Sequence, residues 1–291
     1  MRLQNERASI FFPGGSDERQ GQHERLVRTT HLGIGAHPDD LEILAIHGIL
    51  HCAASDGETF SGVVASDGTG GAYQGRFAEL GEREMAHVRR AEQRRAASAG
   101  DYGAAVFLGY QSAELKSADY APAVENDLLQ VLAACSPEVV YTHNLCDQHD
   151  THVAVALRTI EALRRLPAEV RPKQVWGCEV WRDLDWMLDD DKVSLGVGEK
   201  RELQQLLLSF YESQHQGAKR YDQAALGRRA AHATFGTSHA DCSAGGIAYA
   251  MDLVPLMDDS GLAAQDFVQG FVKRFAADVQ QRLSRVGSKL R

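Results

Sequence analysis

The stretch His31-Leu-Gly-Ile-Gly-Ala-His-Pro-Asp-Asp-Leu-Glu42 joins an apolar run to a polar turn holding one imidazole and two carboxylates within four residues. A strand over residues 31 to 36 is predicted, because a short apolar run closed by turn residues is the pattern of a buried strand. Pro38 cannot extend a sheet ladder and so enforces the turn. The apolar spacing from Leu41 to Cys52 then predicts a helix. His37, Asp39 and Asp40 therefore stand at a strand's C-terminal edge, over a helix N-terminus.

Outward from this unit the same alternation repeats. Strands are expected over Phe60 to Ala65, Ala105 to Tyr110, Glu138 to Thr142 and Gln174 to Trp181. Helices are expected over Glu79 to Ala99, Ala121 to Cys135 and His149 to Leu166. Continuous apolar strands separated by helices imply an α/β fold, Rossmann-like, with a mostly parallel sheet and helices on both faces. Right-handed crossovers bring the strand ends and the following loops to one edge, where such folds bind ligands. Residues 1 to 30 read as an N-terminal arm, loose from residue 13 onward. Beyond Leu184 the chain reads as more helical, with helices expected over Lys200 to Gln214 and Leu262 to Val286. In the second of these, Phe267, Phe271, Phe275, Val279 and Leu283 form an apolar stripe. It reads as packed on its own subunit, with a homo-oligomer contact as the other reading.

With 291 residues, 44% of them hydrophobic and 24% charged, the chain fits one large globular domain or two modest ones. No apolar run approaches the ~20 residues of a bilayer span. The 31 basic and 40 acidic residues leave a net charge of −9, which disfavours nucleic acid or an anionic membrane as the main partner. Five cysteines are scattered without paired spacing, as expected of reduced thiols in a cytoplasm. The N-terminus has no apolar stretch of signal-peptide length, which again points to a cytoplasmic protein.

Chemistry concentrates in two places. Asp39 or Asp40 alone would read as a helix cap; His37 with both aspartates points instead to a metal. A second cluster, His143-Asn-Leu-Cys-Asp-Gln-His-Asp-Thr-His152, also follows a strand and opens a helix. His149 and His152 lie three apart and share a helix face. A third ligand from this cluster would complete a site of two histidines and one carboxylate with a position open for water, the arrangement of catalytic zinc. His47 and His51, one helical turn apart, read as core or surface histidines. Trp181 and Trp186 read as core residues, with stacking on a sugar as the other reading.

Ala36-His37-Pro38-Asp39-Asp40-x-Glu42 and His149-x-x-His152 resemble the motifs of the PIG-L (LmbE-like) zinc-dependent N-deacetylases. Ser66-Asp67-Gly68, Arg89-x-x-Glu92, Phe107-Leu108-Gly109 and Ser213-Gln214 add to the resemblance, which spans residues 31 to about 216. It implies a deacetylase domain over residues 31–240, followed by a C-terminal helical extension over 241–291. It also implies His37, Asp40 and His152 as zinc ligands and Asp39 as general base. His149 would assist the tetrahedral intermediate, and Arg89 would lie on the substrate side. Two departures stand out: His149-Asp150-Thr151-His152 where the family has His-Pro-Asp-His, and Ile46-His47-Gly48 where it favours Gly-Gly.

The implied activity is zinc-dependent removal of an acetyl group from an N-acetylated amino sugar, of the N-acetylglucosamine type, or from its conjugate. The small-molecule amino sugar would then be the partner. A zinc amidase for another amide, such as a thiol conjugate, is the second reading. A non-catalytic sugar- or metal-binding member is the third, and the joint presence of His37, Asp39, Asp40, His149 and His152 argues against it.

Overall fold

Apolar runs of strand length need cover on both faces, and they find it in a single mixed sheet. The computed structural model describes residues 1–15, 21–71, 73–215, 219–236 and 245–290. Among these the strands are β1 (Ser9–Phe11), β2 (His31–Gly35), β3 (Phe60–Ser66), β4 (Ala105–Tyr110), β5 (Val139–His143), β6 (Gln174–Cys178), β7 (Val193–Gly196) and β8 (Ile247–Asp252). Their order is β1-β4-β3-β2-β5-β6-β8-β7. The central five, β4-β3-β2-β5-β6, are parallel, as the continuous apolar runs predict. Strand order reverses between β2 and β5, which makes their C-terminal ends the topological switch point.

The helices are α1 (Gln22–Val27), α2 (Asp40–Leu44), α3 (Ile46–Cys52), α4 (Glu82–Ala99), α5 (Ser112–Lys116), α6 (Ala121–Cys135), α7 (Asp150–Arg164), α8 (Arg201–Ser209), α9 (Glu212–His215), α10 (Tyr221–Phe235), α11 (Val254–Asp258) and α12 (Ala264–Lys289). Side-chain alternation divides the strands between two cores. In β4, Val106 and Leu108 face α6 and α7, while Ala105 and Phe107 face α2, α3 and α4. The second core is tight at Gly62, where a Cβ would come within 2.5 Å of Leu41 Cδ1. A side chain there would force the Leu41 side chain to move.

Several features depart from the sequence expectation. The helix expected over Leu41 to Cys52 breaks at Ala45. Arg229 on α10 explains the break: its Nη2 donates to the carbonyls of Glu42 (2.9 Å) and Ile43 (3.3 Å), satisfying groups the interruption frees. Residues 9–11 are an edge strand antiparallel to β4, and α1 buries Leu26, so part of the expected loose arm is ordered on the sheet. Beyond Leu184 the chain supplies β7 and β8, which extend the sheet: β8 pairs antiparallel with β6, and β7 antiparallel with β8. The expected boundary at residues 240/241, and Cys242, lie outside the described residues.

The α12 stripe is buried only at its start. Phe271 is 8% exposed and Phe267 packs on the same core, whereas Val279, Leu283 and Val286 are exposed. Removal of residues 277–291 is therefore expected to leave the melting temperature unchanged. Phe271→Ala should cost about 3 kcal/mol, since it vacates a packed site. Equal denaturation midpoints for Phe271→Ala and the parent would show that the start of α12 is not docked.

Candidate metal centre

The turn after β2 is built to hold an awkward conformation. Asp39 has φ 94°, in the left-handed region that costs most residues energy. Its N–H donates to Gln93 Oε1 at 3.3 Å, and the Gln214 amide donates to the Pro38 carbonyl. Glu92, beside Gln93 on α4, accepts from the Ser213 N–H (2.8 Å) and hydroxyl (2.6 Å). The short motifs Arg89-x-x-Glu92 and Ser213-Gln214 thus act together, as a clamp that fixes α9 and α4 around the turn.

Within the turn the His37 N–H donates to Asp40 Oδ2 at 2.6 Å, which aims the carboxylate back toward the sheet edge. Side chains from the turn after β2, the start of α2 and α7 then converge. His37 Nδ1 is 3.1 Å from His152 Nε2 and 3.3 Å from Asp40 Oδ2, and His152 Nε2 is 3.5 Å from Asp40 Oδ1. Bonds of about 2.0–2.1 Å to a tetrahedral ion place neighbouring donors about 3.3 Å apart. The contacts to Asp40 fall on different oxygens, Oδ2 toward His37 and Oδ1 toward His152. Taking one atom from each residue, His37, His149 and His152 lie within 4.8 Å of one another, as do Asp40, His143 and His152, so this cluster could hold a metal ion.

The electrostatics agree. Burial, opposed by the Asp40 charge, pushes His152 down to about 4, so its imidazole is neutral and free to ligate at neutral pH. Burial disfavours ionisation of Asp40, but its imidazole neighbours His152, His143 and His37 outweigh it and hold its pKa well below the usual carboxylate range. For Asp39, burial first and then the Asp40 charge raise the pKa well above the usual carboxylate range, while Arg89 opposes them. The two adjacent aspartates therefore have different environments: Asp40 is among the imidazoles and Asp39 faces a guanidinium.

Arg89 is 4% exposed, inside the fold rather than on a helix surface. It donates to the Gly68 carbonyl, and a Cβ at Gly71 would meet its Nη1 at 2.8 Å, so the glycine loop wraps the guanidinium. His149 stands at the mouth of the site, its ring 4.5 Å from that of His152 and 4.9 Å from that of His37. Trp181 is half-exposed, not a core residue. Its ring lies 6.5 Å from His149, edge-on to Tyr221 at 5.5 Å and under Lys219 Nζ at 4.9 Å. Trp186 is also only partly buried and contacts Phe275 on α12.

Residues 32–163 match the family described as PIG-L: GlcNAc-PI de-N-acetylase. The chain carries a PIG-L family domain. No curated protein sequence matches the chain. Solved structures share the fold at low identity. The 4-carboxy-2-hydroxymuconate hydratase GalB of Pseudomonas putida KT2440 is 18% identical, with TM-score 0.59, over 77% of this chain and 95% of its own. The N,N'-diacetylchitobiose deacetylase of Pyrococcus horikoshii is 17% identical, with TM-score 0.58, over 81% and 94%. The A40926 pseudoaglycone deacetylase Dbv21 is 18% identical, with TM-score 0.57, over 77% and 97%.

Two residues of the PIG-L domain emerge only from the structure. His143 is fully buried at the end of β5. Its Nε2 accepts the Ala36 N–H at 2.9 Å and lies 3.3 Å from Asp40 Oδ2, and its ring stacks on His152 at 3.9 Å. It ties β5 to the turn after β2 and supports the carboxylate. Asp147 Oδ2 is 3.4 Å from His152 Nδ1 and accepts the Trp181 N–H, while its Oδ1 accepts the His149 N–H. A carboxylate thus orients His152 from position 147, although Thr151 stands where the family has its acid. Such outer partners tune a metal ligand, so Asp147→Asn is expected to weaken metal affinity roughly 10–100-fold. Competition with a chelator measures this, and an unchanged affinity would remove Asp147 from that role.

Proposed function

We propose that the chain is a zinc-dependent N-deacetylase, removing the acetyl group from an N-acetylated amino sugar of the N-acetylglucosamine type or from its conjugate. The observation that carries this reading is the convergence of His37, Asp40 and His152 within hydrogen-bond distance of one another, with Asp39 buried beside them and not among them. Two imidazoles and a carboxylate suit zinc better than magnesium or calcium, which prefer all-oxygen sites. When bound there, zinc supplies Lewis acidity toward an amide carbonyl and makes a water easier to deprotonate.

The protein's own groups divide the remaining work. Asp39 accepts one proton from the attacking water and returns it to the amine nitrogen as the C–N bond breaks, which balances the hydrolysis. Its raised pKa suits both halves of that exchange. His149 donates to the oxyanion that develops on the carbonyl oxygen. Arg89, on the substrate side, faces Asp39 and keeps a positive charge beside the base. Trp181 and Tyr221 offer an aromatic wall on which a sugar ring can stack. Cys52, Cys135, Cys146 and Cys178 are free thiols, in keeping with a reducing cytoplasm, and no described helix is long and apolar enough to cross a membrane.

The test is acetate release from a panel of N-acyl sugars by zinc-loaded protein. Turnover on N-acetylglucosamine derivatives is expected, and loss of acetate release on chelation with recovery on adding zinc. Cleavage of thiol-conjugate amides with no acetate from any sugar would overturn the substrate assignment. The neighbouring hydratase makes a further arm worthwhile: water addition to an unsaturated acid, with no amide cleavage, would overturn the reaction class.

A further inference from the structure

The opposite edge of the sheet holds a second convergence of ligating groups that the proposed deacetylation does not use. His31 begins β2, His51 lies in the last turn of α3, and Glu58 sits in the turn leading into β3. One donor atom from each lies within 4.8 Å of the other two. Glu58 Oε2 is 2.6 Å from His51 Nε2 and 3.7 Å from His31 Nδ1, and the two imidazole rings are 5.0 Å apart. That oxygen is buried, yet it makes no hydrogen bond of normal geometry. An ordinary imidazole–carboxylate pair would use one nitrogen in line with the oxygen. Here the oxygen has one imidazole nitrogen at 2.6 Å and a second at 3.7 Å, with a hydrogen bond of normal geometry to neither.

We propose that His31, His51 and Glu58 form a second transition-metal site, at the edge of the sheet opposite the catalytic one. Strand β2 alone separates the sites: from His31 to His37 the chain climbs roughly 20 Å at about 3.3 Å per residue. Two imidazole nitrogens and one carboxylate oxygen select zinc or a similar first-row cation over magnesium or calcium. The side chains of His51 and Glu58 are 43% and 36% exposed, which provides an entry path and room for a water ligand.

The surroundings support a neutral, ligating state. Burial and the nearby His51 lower the pKa of His31, against Glu58 and Glu138, and Glu138 is itself paired with Lys173 at 2.7 Å. His47 lines the site as well, its ring stacked 6.0 Å from that of His51 and its Nδ1 2.9 Å from the Tyr141 hydroxyl. The competing contact is Thr30 Oγ1, 3.1 Å from His31 Nδ1, which a cation on that nitrogen would displace. A metal here cross-links β2, α3 and the entry to β3. These elements form the unit whose other end carries the His37–Asp40 turn, so occupancy stabilises the support of the catalytic edge.

Zinc content after equilibrium dialysis of the full chain tests this. The parent is expected to hold two equivalents, and His51→Ala and Glu58→Gln one each, with unchanged circular dichroism. His152→Ala should also hold one, and the double variant His51→Ala/His152→Ala none. Added zinc should raise the melting temperature of His152→Ala by several degrees and leave that of the double variant unmoved. Loss of an equivalent in both His51→Ala and Glu58→Gln supports the site even if His152→Ala keeps its metal, which would instead count against the catalytic assignment. Zinc content unaffected by both His51→Ala and Glu58→Gln would overturn the proposal.

Discussion

Asp39→Asn is expected to turn over roughly 10²–10⁴ times more slowly than the parent while keeping its catalytic metal, the usual worth of a general base. The substitution is clean for a geometric reason. Asparagine is among the few residues that accept a positive φ, so the strained turn at 94° survives the change. The Asp39 N–H still reaches Gln93, and Gln214 still holds the Pro38 carbonyl. What is lost is the capacity to take up a proton. Asp40→Asn should behave in the opposite sense, because its carboxylate touches His37, His143 and His152 and supplies the negative charge among the donors. Its metal affinity should fall first and its rate with it. Zinc content and acetate release, measured on both variants with one N-acetyl sugar, separate the roles. Zinc lost from Asp39→Asn and kept by Asp40→Asn would mean that the roles are reversed.

His152→Ala should empty the catalytic site and abolish acetate release. The imidazole is fully buried and contacts both other candidate ligands, so its removal leaves two donors where three converge. It also strips Asp147 of its imidazole partner, and the Asp147 carboxylate stays buried with two backbone donors. Two-ligand remnants hold zinc poorly, since most of the affinity comes from completing the tetrahedral set. Metal analysis beside circular dichroism distinguishes an empty folded site from a collapsed one. Full catalytic-site occupancy in folded His152→Ala would remove α7 from the metal centre.

The family domain follows the motifs closely. The match over residues 32–163 contains both clusters, and the strand–turn–helix units around His37 and His152 lie where period and punctuation put them. Departures begin where a partner is distant. The break at Ala45 depends on Arg229, nearly two hundred residues on, and helical periodicity across 41 to 52 gives no hint of it. Strands β7 and β8 pair antiparallel at the sheet's edge and are half-exposed in places, so they lack the continuous apolar signature of the central strands. The stripe on α12 reads as uniformly buried, yet amphipathicity marks only a face and not how far along the helix that face is covered.

Residue order alone carries the α/β sheet and places clusters of imidazole and carboxylate at the ends of β2 and β5. These features are local: a run of apolar residues, a proline, and charged groups within a few positions of a strand end. The rest comes from packing between distant segments. It brought His37, Asp40 and His152 to within 3.1–3.5 Å of one another and added His143 and Asp147 as their supports. It buried Arg89 beside Asp39, and it gathered His31, His51 and Glu58 at the far edge. Each of these depends on which strands are neighbours and which helix face meets the sheet. Those are properties of long-range packing, and residue spacing along the chain does not record them.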